Sequence, residues 1–410
     1  MTESVNNAEL NLSAGRRPKK DRAMTILLLY LAFEYLRIQD SILPFLAPLK
    51  IPMFLTLALL WIAIKRRKLL GFNVLVVSAG LFVLEMLAWV PFATNNFFAF
   101  QAVKAMVMIY ATVLAILVIV QNRQQLYLLF KAWVVIIFFV ALWVITHGGT
   151  GPGGFVADEN DVCLVVVTAL PFAWYLYQIE VKSKKWKLFF LGACFILLLA
   201  VVISSSRGGL VGLVAACAVM IWLSKRRWRN ITIILCSGVF MGSLLLQVLP
   251  EKYVADMGTI SNKDDDTRNL RFLHWTTGWE MFKKNLFFGV GPGNYPWESH
   301  RYFHLSPFYI EGKRNRAGRQ SHSLYFTLIP EMGLVGVILY FTLMIKITLK
   351  LLRHKAKVEY PDEVLFCALL ASLAGGLAAG AFVSVLFYPI IWHLFAFSMV
   401  SMAIVGNVDE

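Results

Sequence analysis

Charge is what this sequence has least of. Only 15% of its 410 residues are charged, where a soluble domain carries about 25%. A soluble globule and a disordered chain are excluded on that ground. Cysteine is sparse as well: Cys163, Cys194, Cys217, Cys236 and Cys367 each lie inside an apolar run. No two of them have disulfide or metal-ligand spacing, so a disulfide scaffold is excluded and they read as small packing residues. Acidic side chains number 24 against 39 basic ones, a net charge of +15. The first 23 or so residues are polar and end without a short apolar core and small-residue cleavage site, so a removable signal peptide is not expected.

What the chain has instead is apolar length. Of its residues 59% are apolar, which at ~20 per bilayer crossing sets a ceiling of roughly twelve spans. Apolar runs fall at 24–38, 43–64, 70–92, 102–121, 126–146, 161–179, 187–203, 209–224, 231–249, 323–349, 363–386 and 389–406, which is twelve; Glu34 and Arg37 interrupt the first. The expected fold is all-α, a polytopic membrane bundle. Basic residues collect in alternate connections: Arg16 to Arg22, Lys65 to Lys68, Arg123, Lys182 to Lys187, Lys225 to Arg229 and Lys350 to Lys357 hold 22 of the 39. Short cytoplasmic loops are enriched in Lys and Arg, so both termini are expected in the cytoplasm. The positive excess is then mostly a topology signal, and nucleic acid is not an expected partner.

This divides the chain into a cytoplasmic tail 1–23, nine spans over 24–249, an outer loop 250–322 and three spans over 323–410. The outer loop has 73 residues, 11 basic and 8 acidic, and four of the seven histidines. Trp275, Trp279, Phe287, Phe288, Tyr295 and Trp297 argue against disorder in it. Leu270, Leu273, Trp275, Trp279, Met281 and Phe282 have helix-like spacing over 269–287, which predicts short surface helices forming a cap.

Four places carry candidate chemistry. In Ser204-Ser205-Ser206-Arg207-Gly208-Gly209, Arg207 lies near the bilayer surface, where a guanidinium is costly unless it pairs or faces water. It suits bidentate binding of phosphate oxygens, and it equally suits snorkelling to lipid phosphates. In Arg319-Gln320-Ser321-His322-Ser323-Leu324-Tyr325, His322 falls at the outer mouth of a span, as a general base or as an interfacial hydrogen-bonding residue. Glu331, about two turns deeper, is placed to order the site, to pair with a cation such as Lys104, or to serve packing alone. In Asp266-Thr267-Arg268-Asn269-Leu270-Arg271, Arg271 offers a second phosphate ligand. The Gly289-Val290-Gly291-Pro292-Gly293-Asn294 run that follows lacks a preceding strand and a Walker lysine, so it reads as tight turns and not a nucleotide loop. Asp264-Asp265-Asp266 reads as a solvated acidic turn. Finally, the loop from Thr150 to Asp161 places Asp158 and Asn160 either to bond sugar hydroxyls or to cap the next helix.

These motifs resemble those of the O-antigen ligase and polymerase superfamily: Ser-Arg-Gly, Arg-x3-Trp followed by Gly-Val-Gly-Pro-Gly-Asn, and His-Ser-x-Tyr ahead of Glu-x-Gly-Leu-x-Gly. Phe33-Glu34-Tyr35-Leu36-Arg37-Ile38-Gln39 is similar to the first span of one bacterial branch. The resemblance is strongest over 201–213 and 266–340. One departure is His322-Ser323, where many relatives have His-Asn.

The resemblance implies an inverting, metal-independent glycosyltransferase of the bacterial inner membrane, without a cofactor. Its donor would be a glycan on a polyprenyl pyrophosphate, its acceptor a sugar hydroxyl of lipid A–core, and membrane lipids its surroundings. It implies catalytic roles for His322, Arg207 and Arg271, with Arg268, Arg319, Asn160, Tyr325 and Glu331 as further substrate-binding candidates. A repeat-unit polymerase and a protein O-oligosaccharyltransferase share this machinery and differ in acceptor. A transporter of polysaccharide or lipid is the rival from another class, but the chain shows no repeated halves.

Overall fold

The computed structural model describes residues 21–70, 73–225, 227–229, 231–232, 266–312 and 318–406. The N-terminal tail up to residue 20, the apolar run 231–249 with nearly all of its length, Cys236, and Asp264-Asp265 lie outside the described residues. The chain is an all-α membrane bundle. Its helices are α1 (Arg22–Leu36), α2 (Ile51–Lys65), α3 (Val74–Trp89), α4 (Asn96–Ile119), α5 (Arg123–Thr146), α6 (Glu159–Ile179), α7 (Lys184–Ile203) and α8 (Arg207–Leu223), then α9 (Asp266–Lys284), α10 (Tyr295–Glu298), α11 (Leu324–Lys357), α12 (Asp362–Gly380) and α13 (Pro389–Val405).

Among the described residues, eight helical segments are long and apolar enough to cross a membrane, with α8 and α13 apolar but shorter. Most of the starts are set by a side-chain cap. Asn73, Asn95, Asn122, Asp158, Ser183, Ser206 and Ser323 each accept a first-turn backbone N–H, the usual way to satisfy donors that a helix leaves free.

Burial separates centre from periphery. The apolar windows of α6 and α12 are each 78% buried, while that of Pro44–Lys65 is 17% buried. Phe54, Trp61, Leu84 and Leu188 point outward from peripheral helices. A chain facing hydrocarbon has no reason to hide such side chains. Inside, the wholly buried His393 has both ring nitrogens engaged, Nδ1 2.8 Å from Tyr35 Oη and Nε2 3.0 Å from Thr112 Oγ1. Such pairing is what makes a polar ring tolerable at that depth.

Ion pairs gather the basic connections at one end of the bundle. Arg66 meets Asp21, Arg123 meets Asp362 at 2.7 Å, and Lys225 meets Glu363 at 3.3 Å. At the opposite end lie α9, α10 and the N-terminus of α11.

Several helix boundaries differ from the apolar runs, α4 starting earlier at Asn96 and α11 continuing to Lys357, and two of the differences bear on the site. The run 363–386 ends as a helix at Gly380, and 381–388 forms a chain of tight turns before Pro389 opens α13. The connection at 204–209 is shorter than the sequence suggests, because the Ser206 cap starts α8 at Arg207 itself.

A further difference is inside α11. Gly333 has φ 59° and ψ −162°, so the helix is broken there. Hydrophobicity does not register such a break, because its residues remain apolar. The groups it frees are taken up by the 286–295 loop. Val290 N–H donates to Pro330 O and Gly291 N–H to Glu331 O, while Leu334 and Val335 N–H donate to Leu286 and Phe287 O. A break in a membrane helix persists only where such partners replace the lost ladder.

Candidate functional site

Glu331 completes that splint. It is fully buried, and its carboxylate accepts Gly293 N–H at 2.7 Å and Tyr295 N–H at 2.8 Å. Its partners are backbone donors of the glycine run and not Lys104, which is exposed. Asn294 ties the same run to α4, its Oδ1 accepting Asn95 N–H at 2.8 Å. Gly289 and Gly333 pack backbone to backbone: a Cβ on Gly333 would fall 2.5 Å from Gly289 N. Both have positive φ, so both positions require glycine twice over.

From this splint the chain reaches α9. Tyr295 Oη donates to His274 O at 2.7 Å. Burial, reinforced by the nearby Glu331 charge, pushes that hydroxyl well above its ordinary value, so it remains a donor. One turn of α9 then presents Arg271 and Trp275 on the same face, at i and i+4. Trp275 stacks on Phe326, ring centres 5.5 Å apart, and its Nε1 donates to Ser321 O at 3.1 Å.

His322 is the next residue. Its neighbours Ser321 and Ser323 are buried, and His322 is exposed with φ 50°. Ser321 Oγ donates to Ser323 O at 3.0 Å, and Ser323 caps α11. The turn is thus pinned on both sides and holds a non-glycine residue left-handed, an arrangement that costs energy and persists only where its surroundings impose it.

Phe382, in the turns after α12, joins the remaining pieces. Its ring lies 5.8 Å from the Arg271 guanidinium and 6.0 Å from the Trp275 ring. Gly208, adjacent to Arg207, packs on it so closely that a Cβ would fall 2.7 Å from Phe382 Cβ. One aromatic side chain therefore touches the start of α8, Arg271, and the tryptophan that holds the His322 turn. Nothing in the sequence marks it, because it sits within an apolar run. Asn160 belongs to the same end: Ser206 Oγ donates to its Oδ1 at 2.8 Å, and its Nδ2 donates to Asp158 Oδ1 at 3.0 Å. Asp158 is the N-cap of α6. Arg271 also lies within electrostatic range of Glu159.

Other candidates stand apart. Tyr325 turns its hydroxyl onto Leu377 O of α12, at 3.1 Å. Arg268 lies 5.6 Å from the Phe272 ring, and Arg319 is exposed in the segment leading to His322. After the C-terminal end of α1, Arg37 and Asp40 pair at 2.6 Å, and Gly154 lies against the Arg37 guanidinium.

The family model described as O-antigen ligase matches residues 192–341. Over residues 192–341 the chain is similar to O-antigen ligases. The match runs from within α7 to the second half of α11, and so includes Arg207, Arg271, His322 and Glu331. Phe382 and Asn160 lie outside the matched segment and pack onto it, from the turns after α12 and from α6. No curated protein matches the chain. The chain thus combines helices long and apolar enough to cross a membrane with a segment similar to O-antigen ligases.

Proposed function

We propose that this chain is an O-antigen ligase-like, inverting and metal-independent glycosyltransferase. It moves a glycan from a polyprenyl-pyrophosphate carrier to a sugar hydroxyl of lipid A–core, at the periplasmic face of a bacterial inner membrane, with both termini in the cytoplasm. The observation that carries this reading is the convergence on Phe382 of the α8 start bearing Arg207, of Arg271, and of the tryptophan anchoring the His322 turn.

The acceptor oxygen attacks the anomeric carbon as the bond from that carbon to the pyrophosphate oxygen breaks. His322 takes the acceptor proton, and the electron pair of the broken bond leaves with the prenyl pyrophosphate. Arg207 and Arg271 stabilise the charge gathering there, the N-terminal end of α8 adding its partial positive charge. Attack opposite the leaving group inverts the anomeric centre. Aromatic walls from Trp275 and Phe382 keep the site drier than bulk water, where each guanidinium counts for more. Glu331 and Tyr325 act through the backbone they hold.

The test is transfer by the purified chain from prenyl-pyrophosphate glycan to lipid A–core, with EDTA present. Transfer that persists in His322→Ala at the wild-type rate overturns the base assignment. Transfer only onto a second donor-linked glycan assigns a polymerase.

A further inference from the structure

At the end of the bundle remote from Arg207, the last turns of α6 and α8 part from the first turns of α12. They leave a cavity of about 300 Å³. Pro171, Met220 and Ala368 give it an apolar wall, and Lys225, Arg229, Glu359 and Glu363 give it a charged one. Three of the four charged groups have partners that hold them. Arg229 donates to Gln178 Oε1 at 2.8 Å, and Tyr360 Oη donates to Gln178 O at 2.7 Å. Glu363 is only 6% exposed and pairs with Lys225 at 3.3 Å, and with Lys355 behind it at 3.8 Å.

The balance of signs identifies the ligand class. A simple anion drawn in by Lys225 and Arg229 meets two carboxylates; a simple cation drawn in by Glu359 and Glu363 meets two bases. Glu363 is already balanced by Lys225 and Lys355, and a group carrying both signs within one short span meets Arg229 and Glu359 together. The apolar wall adds a second requirement, a hydrocarbon attachment, and Trp174 and Tyr360 are the aromatic types that favour the level where headgroup meets chain. We propose that this cavity binds the zwitterionic phosphoethanolamine headgroup of a membrane phospholipid. The phosphate lies against Arg229 and Lys225, the ammonium against Glu359, and the upper acyl chains along the apolar wall. Basic pockets between helices at this membrane level are known to favour purely anionic headgroups; the two carboxylates select against them here.

Native mass spectrometry of the purified full chain tests this, with dioleoyl phosphatidylethanolamine or dioleoyl phosphatidylglycerol added back. The wild type is expected to retain one phosphatidylethanolamine, about tenfold in preference to phosphatidylglycerol, the worth of one charge-assisted hydrogen bond. Arg229→Ala is expected to lower retention of both lipids by a similar factor. Glu359→Gln is expected to erase the preference. Both side chains are exposed, so neither change threatens folding. Lys182→Ala, an exposed base at the same end but outside the cavity, is expected to change nothing. Equal retention of the two lipids by the wild type overturns the proposal, as does an unchanged preference in Glu359→Gln or unchanged retention in Arg229→Ala. A loss in Lys182→Ala as large as that in Arg229→Ala overturns it too. If soluble O-phosphorylethanolamine binds as tightly as the lipid, the lipid assignment fails.

Discussion

Ser206 and Asn160, 46 residues apart, are joined by one hydrogen bond of 2.8 Å, and the same serine hydroxyl accepts Gly209 N–H at 3.0 Å. One side chain therefore both starts α8 and fixes it to the N-terminal end of α6. Ser206→Ala removes the cap and the cross-helix bond together, each worth about 1 kcal/mol. The expected result is a loss of about 2 kcal/mol in stability with a fall in glycan transfer, because Arg207 is the first residue after the cap. Denaturation and transfer assays on Ser206→Ala, Asn160→Ala and the double variant check this. The double variant should lose less than the sum of the two single losses, since they share one bond.

His322 separates stability from activity. Its side chain is exposed, and its backbone is left-handed at φ 50°. His322→Gly relieves that strain, so stability should hold or rise, by no more than about 1 kcal/mol. Transfer should nevertheless fall about 10²–10⁴-fold, the usual contribution of a general base. A melting temperature measured beside the transfer rate shows whether the two part company.

Glu331→Gln is expected to do the reverse. The carboxylate accepts two backbone N–H groups, but an amide that keeps one accepting oxygen turns an NH2 toward the other donor. The buried mismatch should cost about 2–3 kcal/mol. Limited proteolysis should then cut within 286–295, which the wild type protects. Tyr325→Phe, which gives up only the bond to Leu377 O, should cost about 1 kcal/mol or less and leave transfer near the wild-type rate.

Phe382→Leu tests the hub. Leucine keeps most of the packing volume, so the stability cost should stay under about 1.5 kcal/mol. The flat face against which Arg271 and Trp275 rest is lost, and displacement of a reacting group by about 1 Å costs on the order of 100-fold. Transfer should drop by roughly that factor in kcat, with Phe382→Tyr recovering most of it.

The membrane bundle was legible because its signal is additive: a helix that spans hydrocarbon must be apolar over its whole length, whatever its neighbours are. The amphipathic spacing of Leu273, Trp275 and Met281 likewise announced α9. The ligase motifs were legible because their spacing is local. What escaped was set by partners distant in sequence. Pro330-Glu331-Met332-Gly333 reads as continuous helix until the loop that satisfies it is known. Phe382 reads as one more apolar span residue until Gly208 and Arg271 are seen against it. Asn160 was open between sugar binding and capping; Asp158 does the capping, and Asn160 faces Ser206.

The splint of α11 also bears on the order in which the molecule is made. Gly293 and Tyr295 reach their acceptor only 38 and 36 residues later in the chain, and Val290 waits likewise for Pro330. A ribosome delivers the loop first and its latch last. The outer cap is thus expected to stay open to protease on any nascent chain stopped before residue 330, and to close once the broken helix has been delivered. The cap is then closed by a late translational event, and Phe382 joins it later still, with the turns that follow α12.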